Sequence, residues 1–218
     1  MSSILDSLSD LLALRHPSPH SVLGAHALGH EVLFRVMRPD ARAVDVLVGA
    51  RRIHLVARTD VPGIFEATVP MEKVPEYLLE LHTPHGATFT VKDPYAFWPT
   101  LGDHDLHFLG EGTHRRVWDR LGAHPLHHQG VAGTAFAVWA PNARGVSIVG
   151  DFNGWDGRIH PMRSMGSSGI WELFVPEVGE GARYKFEIRS ASSMLPLKVP
   201  HNTTPMREKP TVKPMSSQ

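Results

Sequence analysis

At 218 residues the chain has room for one or two ordinary domains, each with its own core. Apolar residues make up 42% and charged residues 20%, and Lys plus Arg balances Asp plus Glu at 22 each, so no long-range field pulls the chain toward polyanions and no nucleic-acid partner is expected. There is no cysteine, so disulfides and thiolate catalysis are excluded too.

The first predicted element is a helix over Ser3 to Leu14. Ile4, Leu5, Leu8, Leu11 and Leu12 fall at helical spacing, Ser3 serves as N-cap with Asp6 three residues on, and Pro17 and Pro19 stop the run. The apolar stripe is expected to cover the first domain; a docking helix for a partner is the alternative. Acidic Asp6 and Asp10, with no long apolar stretch after a basic start, argue against a signal peptide. No apolar run approaches the ~20 residues that span a bilayer, so a cytoplasmic protein without membrane contact is expected.

Strands follow. Val32, Phe34 and Val36 alternate with Leu33, Arg35 and Met37, and Val44, Val46 and Val48 form a second alternating run after a Pro39-Asp40 turn. Phe65, Ala67 and Val69 give a third strand, and Tyr77, Leu79 and Leu81 a fourth. A second short helical segment is predicted over His114 to Leu121, packing through Val117, Trp118 and Leu121.

The pattern then repeats. Leu23-Gly-Ala-His26 returns as Leu121-Gly-Ala-His124, and Phe34 to Val44 is paralleled by Phe136 to Val146, including Pro39-Asp40 by Pro141-Asn142. Gly63-Ile-Phe-Glu66 is echoed by Gly169-Ile-Trp-Glu172, and Tyr77-Leu-Leu-Glu80 by Tyr184-Lys-Phe-Glu187. Order and spacing are both kept, so two copies of one fold are predicted. Short alternating strands between Pro and Gly turns make it all-β: two tandem immunoglobulin-like β-sandwiches with a short N-terminal helix and a disordered C-terminal tail. The expected units are the helix over 1–15, a first sandwich and linker over 16–124, a second sandwich over 125–190, and an irregular tail over 191–218.

The second copy carries Trp139-Ala-Pro-Asn-Ala143, Gly150-Asp-Phe-Asn-Gly-Trp-Asp156, Gly169-Ile-Trp-Glu172 and Tyr184-Lys-Phe-Glu-Ile188. Together these resemble carbohydrate-binding module family 48. The first copy, with Ser21-Val-Leu-Gly24, Lys92-Asp-Pro-Tyr-Ala-Phe97, Gly110-Glu-Gly-Thr-His114 and Trp118-Asp-Arg-Leu-Gly122, resembles the extra N-terminal module of bacterial glycogen branching enzymes. The resemblance covers roughly residues 16 to 190. It implies binding of an α-glucan such as glycogen or maltooligosaccharides, in a family whose complete members make α-1,6 branches by glycosyl transfer.

Residue chemistry agrees with a sugar ligand. A glucose ring offers an apolar C–H face to an aromatic plane and a rim of hydroxyls to amides and ammonium groups. Trp155 lies in a turn between Gly154 and Asp156, Asn153 beside it can both donate and accept, and Lys185 faces away from Tyr184 and Phe186 on its strand. Trp155, Asn153 and Lys185 are therefore the predicted glucan contacts, the resemblance carrying Trp155 and Lys185. A structural plug for Trp155 and a solvated strand position for Lys185 are the competing readings. Trp139 and Trp171, matched by Met37 and Phe65 in the first copy, are assigned to packing. The first copy has Gly49-Ala-Arg-Arg52 where the second has its Trp loop, so a scaffold role is expected of it.

No catalytic residue is assigned. A (β/α)₈ barrel takes about 250 residues, and glucosyl transfer needs paired carboxylates on it; the stretch after the second copy is not barrel-like, so the 218 residues alone are expected to be inactive. From Val199 the chain is mostly Pro, Thr, Lys and Ser, read as a frameshift or truncation that replaces the continuation after Lys198. The aromatic that the family resemblance implies after Ile188 is replaced by Arg189-Ser-Ala-Ser-Ser193. A stand-alone glycogen-binding or regulatory module is the alternative function. The 15 histidines form no His-Glu-x-x-His pattern, so no metal and no cofactor is expected. Nothing in the sequence specifies the oligomeric state.

Overall fold

The structure, a computed structural model, describes residues 3–102, 106 and 120–190. The predicted helix over His114 to Leu121 and the tail over 191–218 lie outside these residues, Arg120 and Leu121 apart.

Helix α1 runs Ile4–Leu12 and is closed by a capping box: the Ser3 hydroxyl accepts from the Asp6 amide at 3.1 Å, and the Asp6 carboxylate accepts from the Ser3 amide at 2.9 Å. Leu8 and Leu11 are fully buried against Val22, Leu23, Met37, Val61 and Ile64, as the stripe predicted. Ile4 and Leu5, at the start of the stripe, stay exposed.

The first sandwich comprises β1 (Gly24–Leu28), β2 (Glu31–Met37), β3 (Ala43–Val48), β4 (Arg51–Ala57), β5 (Ile64–Pro70), β6 (Leu78–His82) and β7 (Thr88–Val91). They form one antiparallel sheet in the order β1-β2-β5-β4-β3-β6-β7, curled on itself and joined across by the short pairing of Val56–Ala57 with Phe65–Glu66. The predicted inward set, Val32, Phe34, Val36, Val44, Val46, Leu79 and Leu81, is its core, together with Ile53 and Leu55 of β4.

The second sandwich comprises β8 (Gly122–His128), β9 (Val131–Trp139), β10 (Ala143–Gly150), β11 (Arg163–Ser164), β12 (Ile170–Pro176) and β13 (Tyr184–Ser190). A four-stranded sheet, β11-β12-β9-β8, packs on the β10-β13 pair. Phe136, Val146, Ile148, Trp171, Leu173, Phe186 and Ile188 fill the space between them. The expected boundary at 124/125 falls inside β8, which pairs with β9 from Gly122 onward. The repeat explains why: Gly122 answers Gly24, the first residue of β1, and both adopt a left-handed φ, 103° and 98°.

In the second sandwich simple alternation fails. All seven residues of β12 are buried. Their inner set faces the core, while their outer set is covered by the segment that links the sandwiches. Phe97 packs on Phe174 with ring centroids 4.9 Å apart, and Leu101 packs on Ala137 and Ile170. Glu172, with no exposure at all, accepts from the Arg163 Nε at 2.6 Å and from the Thr100 amide and hydroxyl at 3.1 and 2.6 Å. Arg163 also donates to the Phe97 carbonyl at 3.2 Å. The linker is thus built into the second sandwich as an outer layer.

The two sandwiches also touch directly. The Tyr95 hydroxyl donates to the Pro161 carbonyl at 3.1 Å, and the Ser164 amide to the Pro17 carbonyl at 2.7 Å. Gly145 of β10 lies so close to the chain leaving α1 that a Cβ there would sit 1.9 Å from the Leu14 carbonyl oxygen.

Candidate glucan-binding site

The Gly150-Asp-Phe-Asn-Gly-Trp155 segment leaves the end of β10 as a 3-10 turn over Asp151–Asn153. Gly154 and Trp155 then both take left-handed φ values, 60° and 63°. Glycine does so freely; for a tryptophan this conformation costs about 1–2 kcal/mol and must be enforced by the surroundings. The enforcing contacts are visible. The Trp155 amide donates to the Gly150 carbonyl at 3.0 Å, closing the loop on itself. Phe152 plugs it from below, stacked on Phe136 at 5.8 Å.

Asn153 does not lie where the sequence reading expected it. It is only 6% exposed, its Oδ1 accepts from the Gly150 amide at 2.9 Å, and its Nδ2 donates to the Ile148 carbonyl at 2.9 Å. The same Nδ2 lies 2.9 Å from Nδ1 of His160. Burial lowers His160 to about 3, so its ring is neutral at ordinary pH, accepts at Nδ1 and carries its proton on Nε2. Asn153 is consequently a loop-holding residue, with its amide turned inward rather than toward a ligand. Competition for hydrogen bonds decides the matter: a 3-10 turn leaves backbone groups unpaired at its ends, and this amide satisfies them.

Trp155 is 41% exposed. Its Nε1 donates to Asp151 Oδ1 at 3.2 Å, and Asp151 in turn is gripped by Arg183, whose Nε donates to Oδ2 at 2.9 Å. The Arg183 hydrogen bond holds the Asp151 carboxyl below the usual range, so it is ionised and able to fix the indole edge. Lys185 lies on β13 opposite Val149, on the face turned away from buried Phe186, and its Nζ stands 6.0 Å from the Trp155 ring centroid. Lys185 and Trp155 therefore share one surface, brought together by pairing of β10 with β13. Asp151 and Arg183 were missed by the sequence reading. The signal for Asp151 was its place four residues before Trp155 in the same turn.

Two other indoles are more exposed, Trp98 at 73% and Trp139 at 58%. Trp139 was assigned to packing; instead it projects from the end of β9, opposite Ile170, where no further strand covers it among the described residues. It lies before Ala143, at the start of β10, whereas the Trp155 loop leaves the far end of that strand. Trp171, 3% exposed and donating to the Ala140 carbonyl at 3.1 Å, is a core residue as expected. In the first sandwich a tight turn at Gly49, φ 54°, joins β3 to β4, leaving no loop to carry an aromatic.

Two family descriptions match the chain in tandem: "alpha-1,4-glucan branching enzyme GlgB, N-terminal domain" over residues 5–95 and "Carbohydrate-binding module 48 (Isoamylase N-terminal domain)" over residues 120–205. The 1,4-alpha-glucan branching enzyme GlgB of Myxococcus xanthus is 60% identical over 186 residues, 84% of this chain and 25% of its own length. GlgB 1 of Streptomyces coelicolor is 57% identical over 178 residues, 82% of this chain and 23% of its own. Among solved structures, type I pullulanase from Bacillus subtilis, complexed with maltose, aligns over 79% of this chain and 24% of its own, with 16% identity and a TM-score of 0.29. The chain thus spans about a quarter of the length of the curated relatives it matches. Both modules and the relatives that share them place this chain with the N-terminal part of the 1,4-alpha-glucan branching enzymes, a GlgB N-terminal domain followed by a carbohydrate-binding module 48.

Proposed function

We propose that these two modules bind α-1,4-linked glucan for an enzyme of branching type, and that Trp155 with Lys185 makes the contact in the second. The observation that carries this is the Trp155 indole: half-exposed, held in a left-handed backbone conformation, its edge bonded to Asp151 and its ring flanked by the Lys185 ammonium. Apolar burial alone does not account for an aromatic kept in solvent at a backbone cost. A flat indole suits the C–H face of glucose, while the ammonium and the Asp151 carboxylate suit the hydroxyl rim.

On this reading the role of the 218 residues is recruitment. The branching activity named for the relatives belongs to their full length, about four times that of the stretch matched here. The first sandwich positions the second: α1, the linker and Tyr95 join the two into a rigid mount.

Affinity electrophoresis of the purified chain through glycogen-containing gels tests the site. Wild-type protein should be retarded, and Trp155→Ala should lose most of that retardation, burial of a large apolar side chain being worth about 1.5–3 kcal/mol or roughly 10- to 150-fold in affinity. Equal mobility of wild type and Trp155→Ala in the glycogen gel would remove the assignment.

A further inference from the structure

Strand pairing gathers an unrelated constellation on the outer face of the first sandwich. Asp45 of β3 stands opposite His54 of β4 on one side and Glu80 of β6 on the other, and His82 is two residues along from Glu80. Their side chains converge. Asp45 Oδ2 is 3.0 Å from His82 Nε2, Glu80 Oε2 is 3.4 Å from the same nitrogen, and the donor atoms of Asp45, Glu80 and His82 all lie within 4.8 Å of one another. His54 Nδ1 approaches the other Asp45 oxygen at 2.8 Å.

We propose that Asp45, Glu80 and His82 form a binding site for a divalent transition-metal ion of the zinc type, with His54 orienting Asp45 from behind. Three features support it. A tetrahedral zinc ion with bonds of 2.0–2.2 Å separates its donors by about 3.3 Å, close to the spacing these strands already impose. A cationic nitrogen already occupies the point of convergence: Arg52 Nη1 contacts Asp45 Oδ2 at 3.2 Å and also Glu80 Oε2. The metal takes the place of that nitrogen. Two carboxylates and one guanidinium leave the cluster one negative charge in excess, whereas two carboxylates and a doubly charged ion balance.

The ligands are held while the occupant is not. The Asp45, Glu80 and His82 side chains are 8%, 13% and 23% exposed, but that of Arg52 is 56% exposed and can swing into solvent. Asp45 Oδ1 is held by His54, which leaves Oδ2 directed at the point of convergence. Ligating carboxylates are themselves hydrogen-bonded, and His54 is placed to fill that role for Asp45. Bound metal would staple β3 to its neighbour β6, near the β7 edge of the sheet.

The test is calorimetric titration of the full chain with zinc chloride, with cobalt(II) as a spectroscopic probe. One equivalent of zinc should bind, cobalt should show the visible bands of a low-coordinate site, and zinc should raise the Tm. His82→Ala and Asp45→Asn should abolish saturable binding, and His54→Ala, which removes a mostly exposed side chain, should weaken it about 10- to 100-fold. Arg52→Ala should tighten it, a result that a purely internal ion-pair cluster does not produce. Absence of saturable binding to the folded wild type would overturn the proposal, as would binding left unchanged in His54→Ala and His82→Ala.

Discussion

Replacing Glu172 by Ala tests how the linker is joined to the second sandwich. Glu172 has no solvent exposure, and its carboxylate receives the Arg163 Nε at 2.6 Å and the Thr100 amide and hydroxyl at 3.1 and 2.6 Å. Arg163 Nη2 stands 2.5 Å from the same carboxylate oxygen but off the hydrogen-bonding direction, so Nε carries the bond. Removing the acid leaves a guanidinium, 9% exposed, without its counter-charge, with the Phe97 carbonyl as its remaining hydrogen-bond partner among the described residues. Breaking such a pair from one side costs about 3–5 kcal/mol, a large part of the ~5–15 kcal/mol that holds a domain folded. For a chain of this size that lowers the Tm by about 6–20 °C. The double variant Arg163→Met/Glu172→Leu, which removes both charges, should recover the part of the loss due to the stranded guanidinium, leaving the cost of the Thr100 donors that lose their acceptor. Urea denaturation read by tryptophan fluorescence gives both values. A single-variant loss below about 1 kcal/mol would refute the inference that the linker is anchored through this carboxylate.

Other outcomes follow from the same reasoning. Asn153→Ala should lower both stability, by about 2–4 kcal/mol for the buried partners left unpaired, and retention on glycogen; Trp155→Ala should lower retention with a stability change below about 1 kcal/mol. Comparing the two by Tm and gel mobility separates holding the loop from touching the ligand. Burial lowers His20 and His160 to about 3 from 6.5, so the unfolded chain binds protons that the folded one refuses between those values. Stability should therefore fall as pH drops below 6.5, by up to about 1.4 kcal/mol per pH unit for each histidine, partly offset by Asp93, which burial raises and which gains stability as pH falls through its folded value. Tm measured from pH 7 to pH 5 in wild type and His20→Phe should show the flatter profile in the variant.

The duplication, the all-β class and the capped helix were legible because each depends on local order: period-two alternation, turn residues, and a serine three positions before an aspartate. The same alternation placed Lys185 on the face opposite Phe186. Alternation cannot say what covers the outer face. The outer faces of β9 and β12, through Ala135, Ala137, Ile170, Glu172 and Phe174, are buried because Phe97, Thr100 and Leu101, distant in sequence, lie across them. Asn153 and Trp139 were misplaced for related reasons. A polar side chain in a turn has backbone groups to satisfy before any ligand, and a large aromatic near a strand end is buried only if another element reaches it.

Amino-acid order by itself determined two copies of one strand pattern, the entry and exit of the N-terminal helix, and the turn that carries Trp155. Only the tertiary structure decided which side of that turn faces water, that Lys185 comes within 6.0 Å of the indole, and that Asp45, His54, Glu80 and His82 meet on one sheet. The physical reason is range. Backbone sterics and hydrogen bonding act between neighbours, whereas a side-chain contact across 37 residues, as between Asp45 and His82, exists only once β3 has paired with β6.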